Sequence, residues 1–145
     1  MMRPVPGIPI EQQPEGVVLR MAGWAEARGE IRKGLLAVLW VIRNRALHAD
    51  TSLKAEILKP WQFSSFNQAD PNRDKMLRAW TDDSLAWAAV DAVCELFEAG
   101  STEDPTDGAR HYYVEKMPDP PKWGRGHPGW MEHCVIGRQV FGIAA

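Results

Sequence analysis

Apolar positions recur at helical spacing over the first hundred residues and lose that spacing afterwards. Val17, Val18, Met21, Ala22 and Ala25 predict a helix that starts at Pro14, a residue suited to a first turn, and closes on Gly29 as C-terminal cap. A second helix is expected from about Ile31 to Leu47. Its centre, LLAVLWVI, is apolar on every side, as in a helix buried in the middle of a domain. Asp50 or Thr51 is placed to cap a short helix, TSLKAEILK, which Pro60 stops. WQFSSFNQADPN reads as an aromatic and polar loop, with a helix around Arg73–Trp80 after it. Thr81 then caps a helix from Asp82 to Ala99, closed by Gly100. Leu85, Ala88, Ala89, Ala92, Val93 and Leu96 are its expected core face.

The last third reads differently. Nine of the 27 residues from Asp104 to Trp130 are Gly or Pro, which predicts mostly loop. HYYV is the one β-like segment there, and CVIGRQVFGI reads as either a strand or a closing helix. Residues 1–13 are expected to form an N-terminal arm, without regular structure through residue 12, and residues 14–145 one domain. The expected class is α+β, a mainly helical domain with a small β element in its C-terminal third.

Composition narrows the function. Seventeen Lys and Arg against nineteen Asp and Glu give a net charge of −2. That balance argues against a duplex-binding protein, whose affinity comes largely from neutralising phosphates. The longest apolar run, Leu35–Ile42, is far short of the roughly twenty residues a membrane span needs. The Pro-rich N-terminus has no apolar core of signal-peptide length, so synthesis in the cytoplasm without membrane insertion is expected. Cys94 and Cys134 form no CxxC pair, and with the four His they match no metal-ligand spacing, so no metal or cofactor is expected. GxSxG, P-loop and GxGxxG motifs are absent.

The chemistry concentrates in three segments. In WAEARGE, Glu26 falls in the last turn of the first helix, where the negative end of the helix dipole disfavours its ionised form. Desolvation on an apolar face would raise its pKa further, and a carboxylic acid held protonated near neutral pH is what glycosidic cleavage asks of a general acid. Arg28, two residues on, points away from it. Glu30 has Arg28, Arg32 and Lys33 as candidate partners. In WQFSSFN, polar side chains match sugar hydroxyls and N-acetyl groups, and Trp61, Phe63 and Phe66 offer flat faces for pyranose rings. In DPTDGARHYYV, alternation sends Tyr112 and Tyr113 to opposite faces, one to the core and one to a cleft. The seven Trp divide as well: Trp40 and Trp87 to the core, Trp24 and Trp61 beside the chemical segments, Trp123 and Trp130 to an overhanging loop. Trp80 has no assignment from sequence.

The order EARGE, GLLAVLWVIRNR, a helix ending before QFS, DPTDGARHYY, then IG-x-x-x-F resembles the cell-wall hydrolase family of the spore-cortex-lytic enzymes, over roughly residues 16–142. The resemblance implies a lysozyme-like catalytic domain that cuts the β-1,4 bond between N-acetylmuramic acid and N-acetylglucosamine in peptidoglycan. It implies Glu26 as acid/base, in a lytic transglycosylase or muramidase. Members that are lytic transglycosylases use one carboxyl group and leave an anhydro product; Asp104 and Glu30 are the nearest second carboxylates should water be added instead. Glu30, Gln62, Phe63, Ser64, Tyr112, Tyr113 and Trp123 are the implied substrate-binding residues. Gln139 departs from the pattern, standing where relatives often carry His. The expected partner is the glycan strand of bacterial peptidoglycan, acted on by a monomer of the phage-endolysin kind once a membrane lesion lets it reach the wall. The rival expectation is a non-catalytic glycan- or protein-binding module of the same fold.

Overall fold

The computed structural model describes residues 1–60 and 62–145. Trp61, expected beside the sugar-binding segment, lies outside the described residues. Helix α1 (Glu15–Ala27) packs against all four other helices: α2 (Arg32–Ala49), α3 (Leu53–Leu58), α4 (Asn72–Asp82) and α5 (Ser84–Glu98). Val18, Leu19, Met21 and Ala22 on α1 are fully buried. The apolar centre of α2 is buried too, except that Leu36 and Trp40 stay partly exposed at its edge. Trp40 there donates its indole N–H to Thr102 Oγ1 at 3.2 Å.

Several helix ends differ from the sequence expectation, closed in part by side chains and in part by the backbone. α1 ends at Ala27 with Arg28 still in the right-handed region, and Gly29 is not a left-handed cap. Arg28 closes the helix instead: its Nη1 donates to the Trp24 carbonyl at 3.0 Å and its guanidinium lies 4.0 Å over the Trp24 ring. Asp50 does not begin α3 but terminates α2, with φ +53 and its N–H returned to the Ala46 and Leu47 carbonyls. Ser52 is the α3 cap, accepting from the Ala55 N–H at 3.0 Å. Thr81 belongs to α4, and Asp83 separates α4 from α5 while accepting from Trp24 Nε1 at 3.0 Å.

The expected face of α5 is also corrected. Trp87, Val90, Asp91, Val93, Cys94 and Phe97 face the core, whereas Ala88, Ala89, Ala92 and Leu96 are exposed and Leu85 is 88% exposed. Two periodic stripes compete on this helix. The winning one buries two large aromatics, far more apolar area than the alanine stripe holds. It also brings Asp91 to the buried Arg20 at 2.6 Å.

The arm is stitched down. A short 3-10 turn spans Ile10–Gln12, and Ile10 and the side chain of Gln13 are buried. Gln13 bonds Val5 through both N–H and carbonyl, the Met2 N–H donates to Asp91 Oδ1, and Trp87 Nε1 donates to the Met2 carbonyl.

The last third builds one antiparallel sheet of three strands, β1 (His111–Val114), β2 (Met131–Ile136) and β3 (Gln139–Ile143), in the order β1-β3-β2. CVIGRQVFGI is therefore neither a single strand nor a helix but a hairpin, turning at Gly137 with φ +58. Tyr112 pairs with Phe141 and Tyr113 with Val140, and the sheet rests on α2. The α+β class and the small β element in the last third are as the sequence predicts. Among the described residues no helix is long and apolar enough to cross a membrane.

Candidate active site

Glu26 occupies the last turn of α1, and its side chain enters a cavity of about 520 Å³ between the helices and the sheet. Burial pushes its carboxyl above the usual carboxylate range. Tyr112 opposes this by donating its hydroxyl to Glu26 Oε2, but at 3.3 Å the contact is long for an O–H donor, and burial prevails. No described cation forms an ion pair with Glu26, so nothing positive holds it ionised. Tyr112 itself is pushed far above its ordinary value by burial and by the neighbouring carboxyl, which keeps it a donor.

The walls come from three parts of the chain. Arg45 comes from α2, Gln62 and Phe63 from the segment after α3, and His111, Tyr112 and Trp123 from the last third of the chain. Arg45, near the end of α2, fixes this arrangement: one guanidinium nitrogen donates to Gln62 Oε1, Nε pairs with the buried Glu56 at 3.2 Å, and the group lies 5.8 Å over the Phe63 ring. His111 accepts the Ala144 N–H at Nδ1 (3.0 Å), so in its neutral form the proton sits on Nε2. Burial, then the positive charges of Arg45 and Arg110, lower its pKa and favour that neutral form. Trp123, 38% exposed, is held by edge and tilted ring contacts with His111, Tyr113 and Trp130. Trp130 in turn packs closely on Gly142, where a Cβ would meet its ring at 2.7 Å.

The structure thus gathers Glu26, Gln62, Phe63, Tyr112 and Trp123 in one cavity. It does not gather the rest. Glu30 pairs with Arg138 at 3.3 Å, none of the three partners expected from sequence, and lines a separate groove beside α5. Ser64 is exposed outside the cavity, and Tyr113 is buried under the Trp123–Trp130 loop. Trp24 is a core residue and Trp80 lies under Arg3, 4.8 Å from its guanidinium. Asp104 is occupied structurally, accepting from Thr106 N and Oγ1, Gly108 N and Asn44 Nδ2. Burial raises its pKa, but those hydrogen bonds outweigh burial and hold it below the ordinary value. Gln139 is buried at the start of β3, away from the cavity, with Oε1 unpartnered among the described residues. Both Cys are free; Cys94 is buried and its thiol pushed up to about 12 by desolvation, so it is unreactive.

Two cavity residues escaped sequence reasoning. Arg45 reads there only as the polar end of a helix, and His111 only as a poor metal ligand. The available signal was spacing: Arg45 follows Ile42 by three positions, which turns it toward the same side as a buried residue. Among the described residues no group of three or more His, Cys, Asp or Glu is placed to hold a metal.

No curated protein matches the chain. Among solved structures, it is similar to the catalytic domain of the germination-specific lytic transglycosylase SleB from Bacillus anthracis. The two are 24% identical with a TM-score of 0.61, over 96% of this chain and 100% of that one. At that identity the likeness is one of fold, and the fold here is lysozyme-like. The family profile described as Cell Wall Hydrolase matches residues 29–141, a span that opens three residues after Glu26, so the case for Glu26 rests on its own surroundings. Covering well over half of the sequence, that match means the chain belongs to the cell wall hydrolase family.

Proposed function

We propose that this enzyme of the bacterial cell wall cleaves the β-1,4 bond between N-acetylmuramic acid and N-acetylglucosamine, with Glu26 as general acid and then base. The observation that carries the reading is a carboxyl group raised by burial at the mouth of a polar and aromatic cavity. Glu26 bears the one carboxyl side chain among the described residues lining that cavity. A mechanism with a single acid fits this best. Protonated Glu26 gives its proton to the bridging oxygen, and the muramyl C1–O bond breaks with positive charge developing at C1. The resulting carboxylate takes the proton of the same sugar's 6-hydroxyl, whose oxygen closes on C1, leaving a 1,6-anhydro end and a free 4-hydroxyl. The proton returns to Glu26 and no water is consumed. A retaining hydrolase would need a second carboxylate about 5 Å away; Glu30 and Asp104 are committed elsewhere.

Tyr112 tunes the acid, and Gln62, Phe63 and Trp123 hold the sugar. Lysis of a bacterial host, as by a phage endolysin, belongs to the same reading. It predicts rapid lysis when the protein is expressed together with a membrane-permeabilising partner, and none with Glu26→Gln. The primary test is purified peptidoglycan followed by turbidity. Wild-type protein should clear it, and Glu26→Gln should be slower by about 10²–10⁴-fold with an unchanged circular dichroism spectrum. Clearance at the full rate by the variant would sink the assignment. Binding without clearance by either protein would point to the non-catalytic module.

A further inference from the structure

The candidate cavity has a branch. A recess of about 270 Å³ adjoins it and shares Arg45, Gln62, His111 and Ala144 with it. It is also lined by His48 from the last turn of α2, Lys59 just beyond α3, and Arg110 just before β1. Three permanent cations, Arg45, Lys59 and Arg110, line it against a single carboxylate, Glu56. That carboxylate is buried and shared, with Arg45 Nε and Lys59 Nζ each 3.2 Å from one of its oxygens. One positive charge is left over, and Arg110 adds another, since its guanidinium forms no ion pair with a described residue. In a chain of net charge −2, this places surplus positive charge beside the candidate acid.

Resting on the reading of Glu26 above, we propose that the recess takes the carboxylate-bearing stem peptide that N-acetylmuramic acid carries. The muramyl unit differs from its neighbour by a lactyl ether that leaves the ring as a side branch and continues into a short peptide with a free D-glutamate carboxyl. A glycan cleft that accepts the peptide-bearing polymer needs a branch of its own for it, and an acidic branch needs cations. Lys59 and Arg110, both lining the recess, provide charge-assisted donors. The neutral His111, with Nε2 as its donor, stands where cavity and recess meet. The recess would therefore select the muramyl side of the bond and fix which sugar presents C1 to Glu26.

The test is a titration of ¹⁵N-labelled protein with N-acetylmuramyl-L-alanyl-D-glutamic acid and with its diamide. The acid should shift the amide signals of Lys59, Arg110 and His111. Binding should weaken about fivefold or more for the diamide, and likewise for the acid with Lys59→Glu/Arg110→Glu. Lys59→Gln/Arg110→Gln, which adds no negative charge beside Glu56, should weaken it in the same direction. Equal binding of acid and diamide, unchanged binding by both variants, or no binding of the acid would overturn the proposal. Inorganic phosphate bound as tightly as the acid would also overturn it, assigning the recess to a phosphate-bearing polymer. The ligand contains no β-1,4 bond, so its binding is independent of cleavage. Protein that binds it yet cuts no glycan fails the Glu26 reading alone.

Discussion

Glu26 is set by two opposed influences, burial that raises its pKa and one hydroxyl that lowers it. Tyr112→Phe removes the hydroxyl and keeps the ring stacked on Phe141, 5.8 Å away. Burial is then unopposed, the pKa rises further, and the acid stays protonated to higher pH. The alkaline limb of the pH–rate profile should move to higher pH; a limb that stays put or moves down would contradict the role given to Tyr112. The same shift has a consequence for stability. A Glu whose folded pKa lies above its unfolded value favours folding only while protonated, so its contribution is full below the unfolded pKa, near 4.5, and is lost as pH rises through the raised value. Glu26→Gln should therefore gain melting temperature relative to wild type as pH rises through that window. Thermal melts with a constant difference at all pH values would mean that Glu26 is not desolvated.

At the scale of elements, α5 and the DPTDG turn carry the clearest tests. Leu85→Ala on the exposed stripe should change stability by no more than about 0.5 kcal/mol, whereas Trp87→Ala, at a fully buried site, should cost about 3–5 kcal/mol in chemical denaturation. Comparable losses at both positions would overturn the orientation of the helix. Asp104 holds its turn through four hydrogen bonds, with Asp107 at φ +55 inside it. Its pKa is held low, so its contribution is present above the unfolded value, near 3.8, and fades as pH falls through the folded one. The stability gap between wild type and Asp104→Ala should be widest at neutral pH and narrow in acid, as pH-dependent denaturation would report. These elements also mark where sequence was and was not informative. Periodicity located the five α-helices of the described residues, because helical spacing is local, but not the short 3-10 turn in the arm. It misjudged the α5 face because two stripes fit one helix, and the choice depends on Arg20, seventy-one residues away. The hairpin was ambiguous because its strand pairing is non-local, and the caps moved because Arg28 and Ser52 close ends assigned from sequence to Gly29 and to Asp50 or Thr51.

Across the whole molecule, Asp91 is the junction. It accepts from Arg20 of α1 and from the Met2 N–H of the arm, while Arg20 also pairs with Glu98 at 2.8 Å. Arg20 is only 1% exposed, so Asp91→Ala would leave a buried guanidinium short of its partner. The expected loss is about 3–5 kcal/mol, a large part of the roughly 5–15 kcal/mol of a typical domain. A loss below about 1 kcal/mol in urea unfolding would show that the arm and helices are not joined there. The candidate site was half legible for the same physical reason. Glu26 stood out through its helix position, and strand alternation narrowed the cleft tyrosine to Tyr112 or Tyr113 without choosing between them. Arg45, His111 and the recess arise where α2, the segment after α3 and β1 converge, which no local pattern encodes. The central claim is that one carboxyl group, acting without water, breaks the glycan. Mass spectrometry of the soluble fragments from purified peptidoglycan tests it most directly. Fragments ending in 1,6-anhydro-N-acetylmuramic acid, one water lighter than hydrolysis products, are predicted; reducing N-acetylmuramic acid ends would contradict it.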